Sequence, residues 1–551
     1  MILDALQFYI HSAFFLFLSG YLIQKLATQW CSQSSCVRSG WCEILVTSFL
    51  ISILLNAFLV LMASLIGIGL HVTKYLLLAV DFIALILIFI FRERGVKFKI
   101  SRYISWKRDD LLLKIIIITV FIAMTFQGGL LDMLADGWWH MSYAAQMVQD
   151  DSLFIQRHPL LGGDIKPVIY PPLWHLQLAL ISESSGLSLP IIWHFIGAIN
   201  AVLFLIAVYL LTLQLSNDKC TSLVSILFTL FIVGGLSSYL RVSPWPGNAS
   251  YIVLFFAFYL TFRGLDEWKN QIKLSNPESP LKTLPYQLLF LLSLTFVAMV
   301  GLHGVEVVLY LLAMGAYLLS ISVLLPEDQL QDCRWERWAL SIVLVCCLLF
   351  GVILALYLLP GHIESVFSGA RARSPYLNFI FPLLTVLYLL AYRFLSRYFK
   401  AIAYFRLFQS LYLLGLLLIL FLIIDIRHIL DLFFPEYIGR HVPKDSFDQF
   451  HNRVYLPFWD HQLRGAMIWS GVITLILGVG MVFIRMTRMN LFLFATSSLV
   501  LLTLTSPYFF TLTSFLIPLP SVYRVHLLLI SPLILAVFYR QLFSWNDESL
   551  N

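Results

Sequence analysis

The stretch LLLKIIIITVFIAMTFQGGLLDMLADGWWHMSYAAQMVQDD, residues 111–151, decides how this chain is read. Residues 111–131 are apolar but for Lys114, two threonines and Gln127. That is close to the ~20 residues a helix needs to cross a hydrocarbon core. The run ends on Asp132 and Asp136, followed by Trp138, Trp139 and His140. Residues 138–150 then carry apolar positions at helical spacing, which predicts a helix lying in the membrane interface. An aspartate at a helix start is ordinarily a cap that answers the helix dipole. A spacing of four also puts both carboxylates on one helix face. A partly desolvated carboxyl there is tuned for proton abstraction from a hydroxyl.

Composition points the same way. Hydrophobic residues make up 60% of the 551 and charged residues only 12%, against about half and a quarter in soluble domains. The expected fold is an all-α polytopic membrane protein of about 13–15 spans. Candidate spans lie near 4–25, 44–70, 72–91, 111–131, 189–215, 221–240, 249–263, 285–301, 304–324, 338–359, 376–392, 405–426, 466–484, 491–511 and 522–540. The net charge of +6 is modest and forms no basic nucleic-acid surface, so no nucleic-acid partner is expected. The seven cysteines are spaced neither as a zinc site nor as a disulfide framework.

Loop charge sets the expected orientation. Seven Lys and Arg lie in 92–110, which places that loop in the cytoplasm. Alternation from there puts most of the 36 basic residues inside. The N-terminus, loop 132–188 and loop 427–465 then fall outside. Residues 1–110 read as extra N-terminal spans with a basic cytoplasmic loop, and 111–551 as the transmembrane core. Loop 132–188 is too long for a simple connection, and long loops are commonly functional.

Further constellations fall at external ends. Tyr170-Pro171-Pro172 stiffens the chain before an apolar run at 173–181. His175 in that run and Tyr170 before it are candidate site residues. His303 and Glu306 lie between two spans, three residues apart and so able to share a helix face. An ionisable residue near a span is a functional candidate. Arg241, Arg371, Arg373 and Arg524 sit outside against the charge bias. Arginine suits a bidentate grip on phosphate, although lipid headgroups attract it equally.

The order "LADGWWHMSYAAQMVQDDSLF" followed by "YPPLWHLQLAL" resembles the GT-C superfamily of membrane glycosyltransferases. The match spans 132–176, and the topology extends it over most of the chain. Asp136 before its aromatic pair is similar to the catalytic loop of oligosaccharyltransferases and of the mannosyl- and aminoarabinose-transferring enzymes. "YPPL" is similar to the dolichyl-phosphate-glucose-dependent glucosyltransferases, whose His-x-Glu hairpin is echoed by His303 and Glu306. The sequence departs from the family in its three preceding spans and in having Gly137 where several members carry a second acid.

The resemblance implies a transferase of the cell envelope with an external first-core-loop catalytic region. A polyprenyl-phosphate sugar would be the donor, and a glycan, lipid or protein the acceptor. Asp136 would be the base, assisted by Asp132. His140, Tyr170, His175, Arg241, His303, Glu306, Arg371, Arg373 and Arg524 would bind substrate. No cofactor is required by this scheme. Some members use a divalent metal, for which His140 with Asp136 would be the ligand pair. The expected location is a bacterial plasma membrane, with the site facing the periplasm. Two other classes fit the same chain: a lipid-linked saccharide flippase or transporter, and an O-antigen ligase or polymerase built on loop 427–465.

Overall fold

A computed structural model describes residues 2–30, 40–93, 108–127, 136–153, 155, 171–231, 244–275, 285–325, 337, 340–341, 468–484, 486–505, 524–525 and 527–548. All regular elements among them are helical. In order they are α1 (Ile2–Ala13), a π-helical turn (Phe14–Leu18), α2 (Ser19–Trp30), α3 (Trp41–Leu65), α4 (Leu70–Glu93), α5 (Arg108–Gln127), α6 (Asp136–Gln149) and α7 (Leu173–Ser185). There follow α8 (Leu189–Ser216), α9 (Lys219–Phe231), α10 (Pro246–Ser275), α11 (Tyr286–Leu302), α12 (Val305–Leu324), α13 (Ile468–Ile484), α14 (Arg488–Thr505) and α15 (Ser531–Glu548). The expected spans at 338–359, 376–392 and 405–426 fall almost wholly outside the described residues.

Among the described residues, six helical stretches are long and apolar enough to cross a membrane: Ile2–Leu26, Trp41–Leu65, Leu70–Ile90, Leu189–Ser216, Pro246–Ile272 and Val305–Leu324. This is an all-α chain whose helices suit an integral membrane protein. It divides into two units, residues 1–231 with 235–307, and residues 232–234 with 308–551. In the second, α13 and α14 pack so closely that a Cβ on Gly478 would lie 2.0 Å from Ser497 Oγ. Tyr317 meets Phe492 edge-on there.

The first unit has α8 and α10 at its centre, both buried along most of their length. Its helices have two distinguishable ends. At one end, the start of α3 meets the second half of α10. Arg263 pairs with Glu43, and Tyr259 OH donates to Glu43 Oε2 at 3.1 Å. The end of α8 joins them through Gln214 Nε2, which donates to Asp266 Oδ2 at 2.7 Å. The opposite end therefore gathers the α3–α4 turn, the starts of α8 and α10, and the α11–α12 turn.

Helix α7 lies across that opposite end. Its first turn touches α10 and α11. Trp174 Nε1 donates to Pro244 O at 2.8 Å, and Leu173 packs where a Cβ on Gly301 would stand, 3.1 Å away. Mid-helix, Gln177 accepts from Asn56 Nδ2 of α3 at 2.8 Å. The last turn reaches α1 and α4. Ser184 Oγ is 3.1 Å from His11 Nδ1, and Glu183 accepts from Lys74 Nζ at 3.0 Å. Thirteen residues extend about 20 Å, short of a span. Gly186, at φ +68°, closes the helix in the left-handed region that glycine tolerates.

Candidate active site

Helix α6 starts at Asp136, as the sequence suggests. It lies over α7 and α8, burying Gly137, His140, Met141, Tyr143, Ala144 and Met147. Its outer face is Trp138, Ser142, Ala145, Gln146 and Gln149, polar apart from Trp138 and Ala145. The amphipathic pattern is thus satisfied against protein. Asp132 and the side chain of Asp136 lie outside the described residues.

The inner face of α6 brings His140 onto α7. His140 Nδ1 and His175 Nε2 are 3.0 Å apart, both rings buried. Trp193 stacks on His140 at 6.1 Å between centroids, and Trp245 meets it edge-on at 6.2 Å. Tyr143 lies 5.4 Å from His175, and burial raises its hydroxyl pKa.

Burial lowers the His175 pKa to about 4, while a hydrogen bond to the Pro171 backbone pulls it partly back. At neutral pH the ring is uncharged and carries one proton. Proline has no N–H, so its backbone only accepts. With Nε2 facing His140, one of the two facing nitrogens donates to the other. Pro171 and Pro172 lead directly into the turn of α7 that sets His175 against His140, one helical turn past Asp136.

The second constellation forms at the α11–α12 turn. His303 caps α11, and Gly304 at φ +76° reverses the chain. Glu306, fully buried in the first turn of α12, accepts from Ser250 Oγ at 3.0 Å. His303 Nδ1 is 3.1 Å from the same Oε2. The expected shared helix face is not what unites them: the two meet across a turn between helices. The carboxylate also sits where the α12 dipole favours it.

These constellations occupy the same end of the first unit. Trp174, next to His175, bonds Pro244, while Ser250 on the following helix bonds Glu306. Farther along α7, Glu183 binds both His71 and Lys74. Burial alone would raise its pKa, but these two partners bring it below the usual value.

Tyr170, Arg241, Arg371 and Arg373 lie outside the described residues. Arg524 is half-buried in a short 3₁₀ turn of the second unit. Among the described residues no cluster of three or more His, Cys, Asp or Glu side chains could hold a metal. His140 would offer only Nε2, because Nδ1 faces His175, so the described donor set does not compose a metal site. Sequence reasoning missed Trp193, Trp245 and Ser250. Their only signal was position: each lies near the start of an expected span. No protein-family model matches this chain, and no curated protein does.

Proposed function

We propose that the protein is a membrane glycosyltransferase that moves a sugar from a polyprenyl-phosphate carrier to an acceptor hydroxyl. One observation carries this reading. A helix beginning at Asp136 presses His140 onto His175, at the same end of the first unit as the His303–Glu306 turn. Asp136 takes the proton of the acceptor hydroxyl. The acceptor oxygen bonds the anomeric carbon, the bond from that carbon to the phosphate oxygen breaks, and polyprenyl phosphate departs. His140 orients the hydroxyl. His303 is the described residue that would meet the phosphate, which is expected on the periplasmic side of a bacterial plasma membrane.

Asp136→Asn is nearly isosteric and removes basicity. It should cut single-turnover transfer roughly 10²–10⁴-fold, or about 3–5 kcal/mol of barrier, with donor binding kept. The assay is purified full-length protein with a panel of polyprenyl-phosphate sugars. Asp132→Asn should cost less. Undiminished transfer in Asp136→Asn would sink the mechanism.

A carrier for lipid-linked saccharides is the second reading, and one residue favours it. Asp81 lies buried midway along the Leu70–Ile90 span, and mid-membrane carboxyls mark transport pathways. Uptake of a lipid-linked saccharide into vesicles without bond cleavage would support it.

A further inference from the structure

The N-terminal helices hold a carboxyl that sugar transfer does not use. Asp81 is 5% exposed near the middle of its span. Its hydrogen bond comes from Ser19 Oγ at 2.6 Å. Among the described residues no Lys, Arg or His pairs with it. A lone carboxylate at that depth is costly and is relieved either by a proton or by a bound cation.

Further buried oxygens lie on the neighbouring stretch from the end of α1 into α2 and on α3. The helix there is broken in register by the π-helical turn Phe14–Leu18. Such a turn loosens the i→i−4 ladder and releases main-chain carbonyls. Phe15 O uses this freedom to accept from Asn56 Nδ2 at 2.7 Å. Phe15 and Ser19 are about one turn apart, roughly 6 Å along the axis. Asn56 is fully buried, and its Oδ1 has no hydrogen-bond partner. One turn earlier on α3, Ser52 Oγ accepts from Gly20 N at 2.8 Å. Ser12, on the buried stripe of α1, also leaves its Oγ without a partner. Along this seam the contacts offer one carboxyl and several oxygen acceptors, and Asn56 Nδ2 also donates to Gln177 Oε1 at 2.8 Å. Among the described residues the side-chain partners in these bonds are hydroxyls and amides.

We propose that this seam is a binding site for a monovalent alkali cation of sodium size, with Asp81 supplying the charge and Ser19 and Asn56 supplying neutral oxygens. An all-oxygen donor set selects hard cations. One carboxylate balances one charge, and a divalent ion would leave a net charge inside the span. Interrupted membrane helices recurrently coordinate sodium through released carbonyls. The site is independent of the transfer chemistry.

The test uses purified full-length protein in phosphatidylcholine nanodiscs. Thermal unfolding is followed as NaCl, KCl or LiCl replaces choline chloride at fixed ionic strength and pH. A ligand that binds only the folded state raises Tm with its concentration. Sodium should raise the wild-type Tm by several degrees, more than potassium does, and leave Asp81→Asn unmoved. Should Asp81→Asn fail to fold, Ser19→Ala replaces it and should need about tenfold more sodium for the same rise, the loss of one good ligand. A wild-type Tm indifferent to all three ions overturns the site, as does an unchanged response in the variant. The series is repeated at a second pH, where a Tm that follows pH alone, alike in every chloride salt, assigns a proton to Asp81 and also overturns the site.

Discussion

His140 and His175, 35 residues apart in the chain, face each other through Nδ1 and Nε2 at 3.0 Å. The pair gives the protein an acid-sensitive joint. His175 has a folded pKa of about 4 against an ordinary 6.5. The unfolded chain therefore takes up a proton first as pH falls. The contribution of His175 is complete above pH 6.5 and is lost progressively toward pH 4, by then about 3 kcal/mol. Wild-type Tm should fall more steeply across that window than the Tm of His175→Phe. Parallel curves would show that the ring is not held neutral.

Glu306 should be the costliest polar residue of the α11–α12 turn to remove. Glu306→Leu leaves Ser250 without its acceptor and removes the carboxylate facing His303. The expected loss is about 2–3 kcal/mol. Ser250→Ala removes one donor and should cost about 1 kcal/mol. Thermal melts of the two variants give the ranking, and a larger loss in Ser250→Ala would contradict it.

The turn and α7 touch at Gly301. A Cβ there would stand 3.1 and 3.2 Å from Leu173 side-chain carbons, tight enough that the first turn of α7 must yield. Gly301→Ala should lower transfer several-fold with little change in Tm, because the adjustment falls on the turn carrying His175. Adding Leu173→Ala makes room and should restore part of the activity. No recovery in the double variant would place the effect elsewhere.

Asp151 caps a helix that it does not belong to. Its Oδ1 accepts from His71 N at 2.7 Å, and its carbonyl accepts from Leu70 N at 3.3 Å, at the start of α4. Gly69 leaves room for the carboxylate: a Cβ there would fall 1.9 Å from Asp151 Oδ2. Asp151 itself holds a φ of +49°, which Asn tolerates better than Ala. Asp151→Asn should melt within a degree or two of wild type, and Asp151→Ala should lose about 1–2 kcal/mol. Equal melts for the two would remove the cap from this account.

The spans were legible because a twenty-residue apolar run is a local signal. The run at 111–131 holds α5 as far as Gln127, those at 44–70 and 72–91 became α3 and α4, and 138–150 became α6 but for its last residue. The last run, 522–540, is shifted: α15 begins at Ser531, and Arg524 falls in a 3₁₀ turn instead. Partners across the bundle were not legible. Nothing in "DGWWHM" says that His140 chooses His175 over solvent, since that pairing depends on α7 lying crosswise. The seam at Asp81 was equally hidden. Ser12, Ser19 and Asn56 interrupt apolar runs as isolated small polar residues, and spans tolerate those without consequence. Only the π-helical turn and the packing of α3 on it set Asn56 against Phe15 O, four residues before the Ser19 that meets Asp81.

Helix α7 also sets an order of assembly during synthesis. It is enclosed by α1, α3, α4, α6, α8, α10 and α11, which run from Ile2 to Leu302. The ribosome finishes α7 before α8, α10 and α11 exist. Until then Trp174 lacks Pro244, and Leu173 lacks the surface around Gly301. Too short to insert as a span, α7 must wait at the membrane surface while later helices enter beside it. The packing around α7 is therefore complete only once α11 has been made.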